Sequence, residues 1–111
     1  MALTSTLEIL DDIAVITLAG DLDAATAPQF QTTVEEAAQR KPQKLVLKLE
    51  DLNYMASAGL RVLIFSKQKM GAEVTLYIVK PQNGVRETME KTGFHRSVVF
   101  LDQFDSKAIA N

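Results

Sequence analysis

The chain has 111 residues, 47% of them hydrophobic and 23% charged, a balance suited to one folded unit burying roughly 60 to 70% of its unfolded surface. It has no cysteine and one histidine, which excludes disulfides, thiol catalysis and cysteine metal sites and argues against metal chemistry. A formal net charge of −2 with both signs interspersed leaves no footprint for nucleic acid. The opening residues do not read as a secretory leader, and the longest apolar run, 60 to 65, is interrupted by Arg61 and too short for a bilayer, so a cytoplasmic protein acting through protein partners is expected.

In chain order, Leu3, Ser5, Leu7 and Ile9 alternate with polar residues, and residues 13 to 18 form a second β-rich run, with Asp11-Asp12 between them as a tight turn. This reads as a hairpin. Thr26 can cap a helix with Pro28 in its first turn and Phe30, Val34, Ala37 and Ala38 as its apolar stripe, stopping near Lys41-Pro42. Residues 44 to 49 read as a strand and 58 to 70 as a helix with Leu60, Leu63 and Ile64 on one face, broken by Gly71. Residues 74 to 79, apolar nearly throughout, suit a strand covered on more than one side. A helix over 83 to 92 carries Val85 and Met89 one turn apart, with Gly93 as its left-handed end; 97 to 101 read as an edge strand, and 102 to 111 carry only weak helical signals. The order predicts an α/β fold: one domain over residues 1 to 111, with a mixed sheet of four to five strands and helices packed against it.

The most informative stretch runs from Leu52 to Leu63, where a strand hands over to a helix at Ser57. As the expected N-cap, Ser57 places its hydroxyl among unpaired helical N–H groups, at the end of the dipole that favours an anion. Ala56, Ala58 and Gly59 leave that hydroxyl open to approach, and Arg61, one turn along, can neutralise a phosphate or simply carry a solvated charge. Tyr54 and Met55 can form an adaptable apolar contact, one of them belonging to the core. Asp21 and Asp23, between strand and helix, fit turn chemistry.

Two rival readings use the same serine. Strand, turn, serine and helix also make the nucleophile elbow of a small hydrolase, with His95 as the base; Met55 stands where that motif requires its first glycine. A phosphate or nucleotide bound at the Ser57 helix terminus is the other, although no Walker-type loop occurs.

The chain resembles single-domain bacterial anti-sigma factor antagonists, which are built on the STAS domain. Besides the serine segment, Leu18-Ala19-Gly20-Asp21-Leu22-Asp23 looks like the family's Gly-acidic-Leu-Asp element, followed by Thr26-Ala27-Pro28, and the segment from Val85 to Thr92-Gly93-Phe94 is similar to its late helix. The resemblance implies a STAS-like fold and a regulator without catalytic machinery or cofactor. It also implies two partners: an anti-sigma factor with serine kinase activity, which phosphorylates Ser57, and a PPM-type serine phosphatase, which removes the phosphate. Asp23 becomes a partner contact, and Asp21, Tyr54, Met55, Ala58, Gly59 and Arg61 complete the expected partner-binding set. Ala56 stands where the family commonly has Asp, and Ala58 where it has a second Ser or Thr.

Overall fold

The computed structural model describes residues 2–105 and 107. In chain order it has strands β1 (Leu3–Leu10) and β2 (Ile13–Leu22), helix α1 (Ala27–Gln39), strand β3 (Lys44–Met55), helix α2 (Ser57–Met70), strand β4 (Thr75–Val79), helix α3 (Asn83–Lys91), a 3-10 turn (Phe94–Ser97) and strand β5 (Val99–Leu101). The sheet is five-stranded with spatial order β1-β2-β3-β4-β5. The β1–β2 hairpin is antiparallel and turns at Asp11 (φ +57), whereas the remaining neighbours are parallel, each joined through a helix.

Parallel strands laid down in chain order by right-handed crossovers step the same way each time, so their helices come to lie on one face. The core shows this directly. Phe30, Val34 and Ala37 of α1, Leu60 and Leu63 of α2, and Val85 and Met89 of α3 share one cluster with Ile16, Leu18, Leu45, Leu47, Leu76 and Ile78 of the sheet. The alternate positions Ile13, Val15, Val46 and Val79 form a second cluster on the other face, with Leu10, Tyr77, Leu101 and Phe104 packed against it. Burial on both faces explains why these strands are apolar without alternation.

The principal departure from expectation is β3, which runs 12 residues to Met55 instead of stopping at residue 49. Its pairing with β2 shifts register twice, between Thr17 and Ala19 and between Gly20 and Asp21, and β3 carries the extra residue each time. Each bulge breaks the two-residue period by which a strand is recognised, so the exposed pair Glu50-Asp51 looks like a strand end when it is a kink within one. Gly20, at φ +103, lies beside the Ala2 carbonyl, where any side chain would collide.

The helices fall close to their expected spans. α1 ends at Gln39, two residues before Lys41 turns the chain at φ +51, and Gly71 (φ +94) closes α2. α3 ends at Lys91; Gly93 (φ +80) begins the 3-10 turn that holds His95. β5 is a short parallel edge strand. Of the stretch read as helical, residues 102 to 105 are bends and irregular chain, and residue 106 and residues 108 to 111 lie outside the described residues. No helix among the described residues is long and apolar enough to cross a membrane.

Candidate functional site

The site is built where β2 and β3 end together and α1 and α2 begin. Because of the second register shift, Asp21 pairs with Tyr54 and Leu22 with Met55, and the Ala56 N–H then donates to the Leu22 carbonyl at 2.8 Å. That bond fixes where the helix starts. The expected cap, Ser57, is the first residue of α2, and Ala56, in extended conformation (φ −84, ψ 169), is the cap. Alanine has no side-chain acceptor, so the first helical amides are uncapped, and those of Ser57 and Ala58 have no intrahelical acceptor. Ser57 is exposed, its hydroxyl spent on no hydrogen bond among the described residues.

The same register decides which neighbours face outward. Tyr54 is 54% exposed, one of few large apolar groups so displayed, while Met55 is 3% exposed and belongs to the main core. Met55 is therefore packing and not a partner contact, which corrects the expectation. Gly59 is corrected as well: it is buried, and a Cβ there would stand 2.5 Å from Leu22 Cγ and 2.7 Å from Leu22 Cδ2. Its glycine lets α2 settle onto the end of β2. Ala58 is half-buried and Arg61 exposed, both reachable from outside.

Asp23 is half-buried, and its carboxylate is spent largely on its own loop. Oδ1 accepts from the amides of Ala25 (3.0 Å) and Thr26 (3.1 Å) and lies 3.2 Å from the Thr26 hydroxyl. The Thr26 amide, more than any other cause, holds the Asp23 carboxyl below its ordinary value, against desolvation, which works the other way. Thr26 does not cap α1 with its side chain as expected: its Oγ1 lies 2.9 Å from the Asp21 carbonyl, to which it donates, and accepts from the Asp23 amide at 2.9 Å. The turn reading of Asp23 thus stands on geometry, and the half-buried Asp21 contributes its carbonyl to the same knot.

Between α1 and α2, Ala24, Pro28, Gln31, Ala58, Arg61 and Phe65 line a groove of about 320 Å³ that adjoins Ser57 in sequence and space. A larger cavity of about 670 Å³ lies at the other end of the sheet, among Lys41, Lys44, Lys69 and Glu73 where α1 and α2 finish. Cations there complement the helix C-termini, and Lys69 also sits 5.8 Å above the Phe65 ring.

The hydrolase geometry does not form. His95 precedes β5, so it sits where the parallel strands begin, whereas Ser57 follows β3, where they end. Among the described residues its buried Nδ1 has no hydrogen-bond partner, so no carboxylate among them orients the ring through that atom. Among the described residues no group of histidines and carboxylates could hold a metal ion.

Sequence reading overlooked three contributors: Leu22, which fills the space left by Gly59; Thr26 as organiser of the β2–α1 loop; and Gln82, whose Nε2 donates to the Glu50 carbonyl (3.0 Å) and Asn53 Oδ1 (3.3 Å), tying the start of α3 to the kinked half of β3. Leu22, inside the Gly-Asp-Leu-Asp element, and Thr26, opening the Thr-Ala-Pro segment, carried a local signal; Gln82 carried none.

Comparison with known proteins places this geometry. Residues 4–108 match the STAS domain. The chain is 34% identical over 92 residues to the protein BtrV of Bordetella bronchiseptica, covering 80% of this chain and 78% of that protein. Its fold is similar to the crystal structure of an anti-sigma factor antagonist from Mycobacterium paratuberculosis, with a TM-score of 0.88 at 23% identity over 99% of this chain and 96% of the other. It is also similar to the Bacillus cell fate determinant SpoIIAA in its phosphorylated form, with a TM-score of 0.73 at 20% identity over 96% of each chain. With the match running from β1 past β5 and a relative above 30% identity over most of the chain, the protein belongs to the STAS domain family.

Proposed function

We propose that the protein is an anti-sigma factor antagonist whose binding to an anti-sigma factor with serine kinase activity is switched off by phosphorylation of Ser57. The observation that carries this reading is an exposed, unbonded serine hydroxyl at the first position of an uncapped helix, flanked by the outward Tyr54 and by the α1–α2 groove. In the transfer, Ser57 Oγ forms a bond to the γ-phosphorus of ATP as the bond to the ADP oxygen breaks, and the hydroxyl proton passes to the kinase. Nucleotide and magnesium belong to that partner. A PPM-type phosphatase returns the serine to its binding form.

The physics favours release without unfolding. Phosphoserine carries about −1.5 to −2 charges at pH 7, and a helix N-terminus stabilises an anion by roughly 0.3 to 1 kcal/mol, so the folded chain accommodates the group. Across an interface that closes over Ser57, the same dianion must be desolvated at a cost of several kcal/mol. Each 1.4 kcal/mol is about tenfold in affinity, so a loss of ~100-fold is within reach. The protein supplies no catalytic group of its own and acts in the cytoplasm with its partners.

The test is incubation with the cognate kinase and ATP, followed by mass spectrometry of wild type and Ser57→Ala. One phosphate on Ser57 and none on the variant is the expected result. Modification at another residue, or none, counts against the switch.

A further inference from the structure

We infer that Arg61 is the internal counter-ion of phosphorylated Ser57, so that modification withdraws this guanidinium from the α1–α2 groove at the same moment as it adds charge to the surface. The inference rests on the reading of Ser57 as a phosphorylation site and deepens it.

Ser57 and Arg61 stand four residues apart on α2, a spacing that sets their Cβ atoms about 5–6 Å apart on one helix face. Both are exposed. The order is the favourable one for a pair at this spacing, with the acidic group N-terminal to the basic one, and the phosphate complements the helix dipole. Arg61 has no competing engagement: among the described residues the ion pairs are Lys80 with Glu50 and Arg86 with Glu90, and the nearby Asp23 carboxylate is held by Ala25 and Thr26. Its planar fork suits a phosphate, which it can grip through two N–H donors at once. Meanwhile the first two amides of α2, those of Ser57 and Ala58, offer the phosphate backbone donors that no side-chain cap occupies.

The charged groups of the β2 end and the loop after it oppose the phosphate. Asp21 and Asp23, at the end of β2 and in the loop after it, are both acidic, and α1 presents only neutral Gln29 and Gln31 in its first turns. Thr88 seats α3 against the Met55 carbonyl, so that helix adds exposed Glu87 and Lys91, one charge of each sign; Arg61 is the cation on Ser57's own helix face, and a phosphate there has reason to draw it out of the groove that it lines with Ala24, Pro28 and Gln31.

The test installs phosphoserine at position 57 during translation, independently of any kinase, and follows the phosphate by phosphorus NMR as pH is varied. Phosphoserine loses its second proton near pH 6, and an adjacent guanidinium favours the dianion. The midpoint in the Arg61 protein is expected about half a pH unit below that in Arg61→Gln, with Arg61→Lys between them. Arg61→Gln keeps the helix terminus and both aspartates, so the difference isolates the guanidinium. Equal midpoints in the Arg61 and Arg61→Gln proteins overturn the pairing while leaving phosphorylation of Ser57 intact. A kinase that ignores Ser57 would sink the switch without touching this result. Circular dichroism of the unmodified variants is expected to match wild type, because Arg61 is exposed.

Discussion

Replacing Gly59 by alanine sets two effects against each other, and the structure decides the sign. On helix propensity alone alanine is better than glycine by up to about 1 kcal/mol, so a solvent-facing glycine in α2 would be improved by the change. At Gly59 the new methyl stands 2.5 Å from Leu22 Cγ and 2.7 Å from Cδ2. Leu22 is fully buried and has nowhere to swing. Overpacking of this kind costs about 1 to 3 kcal/mol, which offsets or outweighs the propensity gain and leaves a net loss of up to about 2 kcal/mol. Urea denaturation should report it as a lower midpoint at unchanged m-value, and thermal denaturation as a fall in Tm of up to about 10 °C. The decisive comparison is a second background. Leu22→Ala alone should cost about 2 to 5 kcal/mol through the cavity it opens, and in that background Gly59→Ala should turn stabilising because the methyl now fills space. Stabilisation by Gly59→Ala in the wild-type background, or the same sign in both, would refute the packing account and return Gly59 to the partner surface.

The adjacent residues Tyr54 and Met55 should answer in opposite ways: Tyr54→Ala should change stability by less than about 0.5 kcal/mol but weaken anti-sigma factor binding at least tenfold by calorimetry, whereas Met55→Ala should lose about 2 to 5 kcal/mol in urea denaturation. Ala56→Asp should raise stability by about 1 kcal/mol, because the carboxylate supplies the cap that α2 lacks; no gain in Tm would mean that the first amides are already satisfied. Asp23→Asn keeps an oxygen acceptor but removes the charge. Since the folded protein holds the Asp23 carboxyl below its ordinary value, wild type should exceed the variant in stability at pH above about 4, and the gap should close as pH falls through the lowered folded value, a trend read by denaturation at stepped pH.

Legibility in the sequence followed the range of the interactions involved. The hairpin, the runs in β2 and β4 and the stripes of α1 and α3 were readable because one strand or helix period carries each of them. The second half of β3 was not, since two bulges break its period and the partner that sets them, β2, is remote in sequence. That one omission propagates into the site. Sequence could say that one of Tyr54 and Met55 faces the core, but the bulge between Gly20 and Asp21 decides which. The cap moved from Ser57 to Ala56 because of the tertiary bond from the Ala56 amide to Leu22, and Gly59 read as an open surface because Leu22 comes to it only in the fold.

Those long-range ties also bear on what kind of switch this surface can be. Around Ser57 the backbone is pinned on three sides: Ala56 by the Leu22 carbonyl, Met55 by the core and by the Thr88 hydroxyl 3.5 Å from its carbonyl, and Gly59 by the Leu22 side chain. A conformational switch needs a segment with two packings of similar energy, and a close-packed helix start seated on two paired strands has one. What remains free to change is the charge at the serine and the set of the long side chain one turn away. On the proposed reading, a phosphate at Ser57 would be read as electrostatics on an unmoved surface, which is why the Arg61 titration and the Gly59 packing test bear on the same question from opposite sides: the first asks whether the charge is shared, the second whether the platform beneath it is rigid.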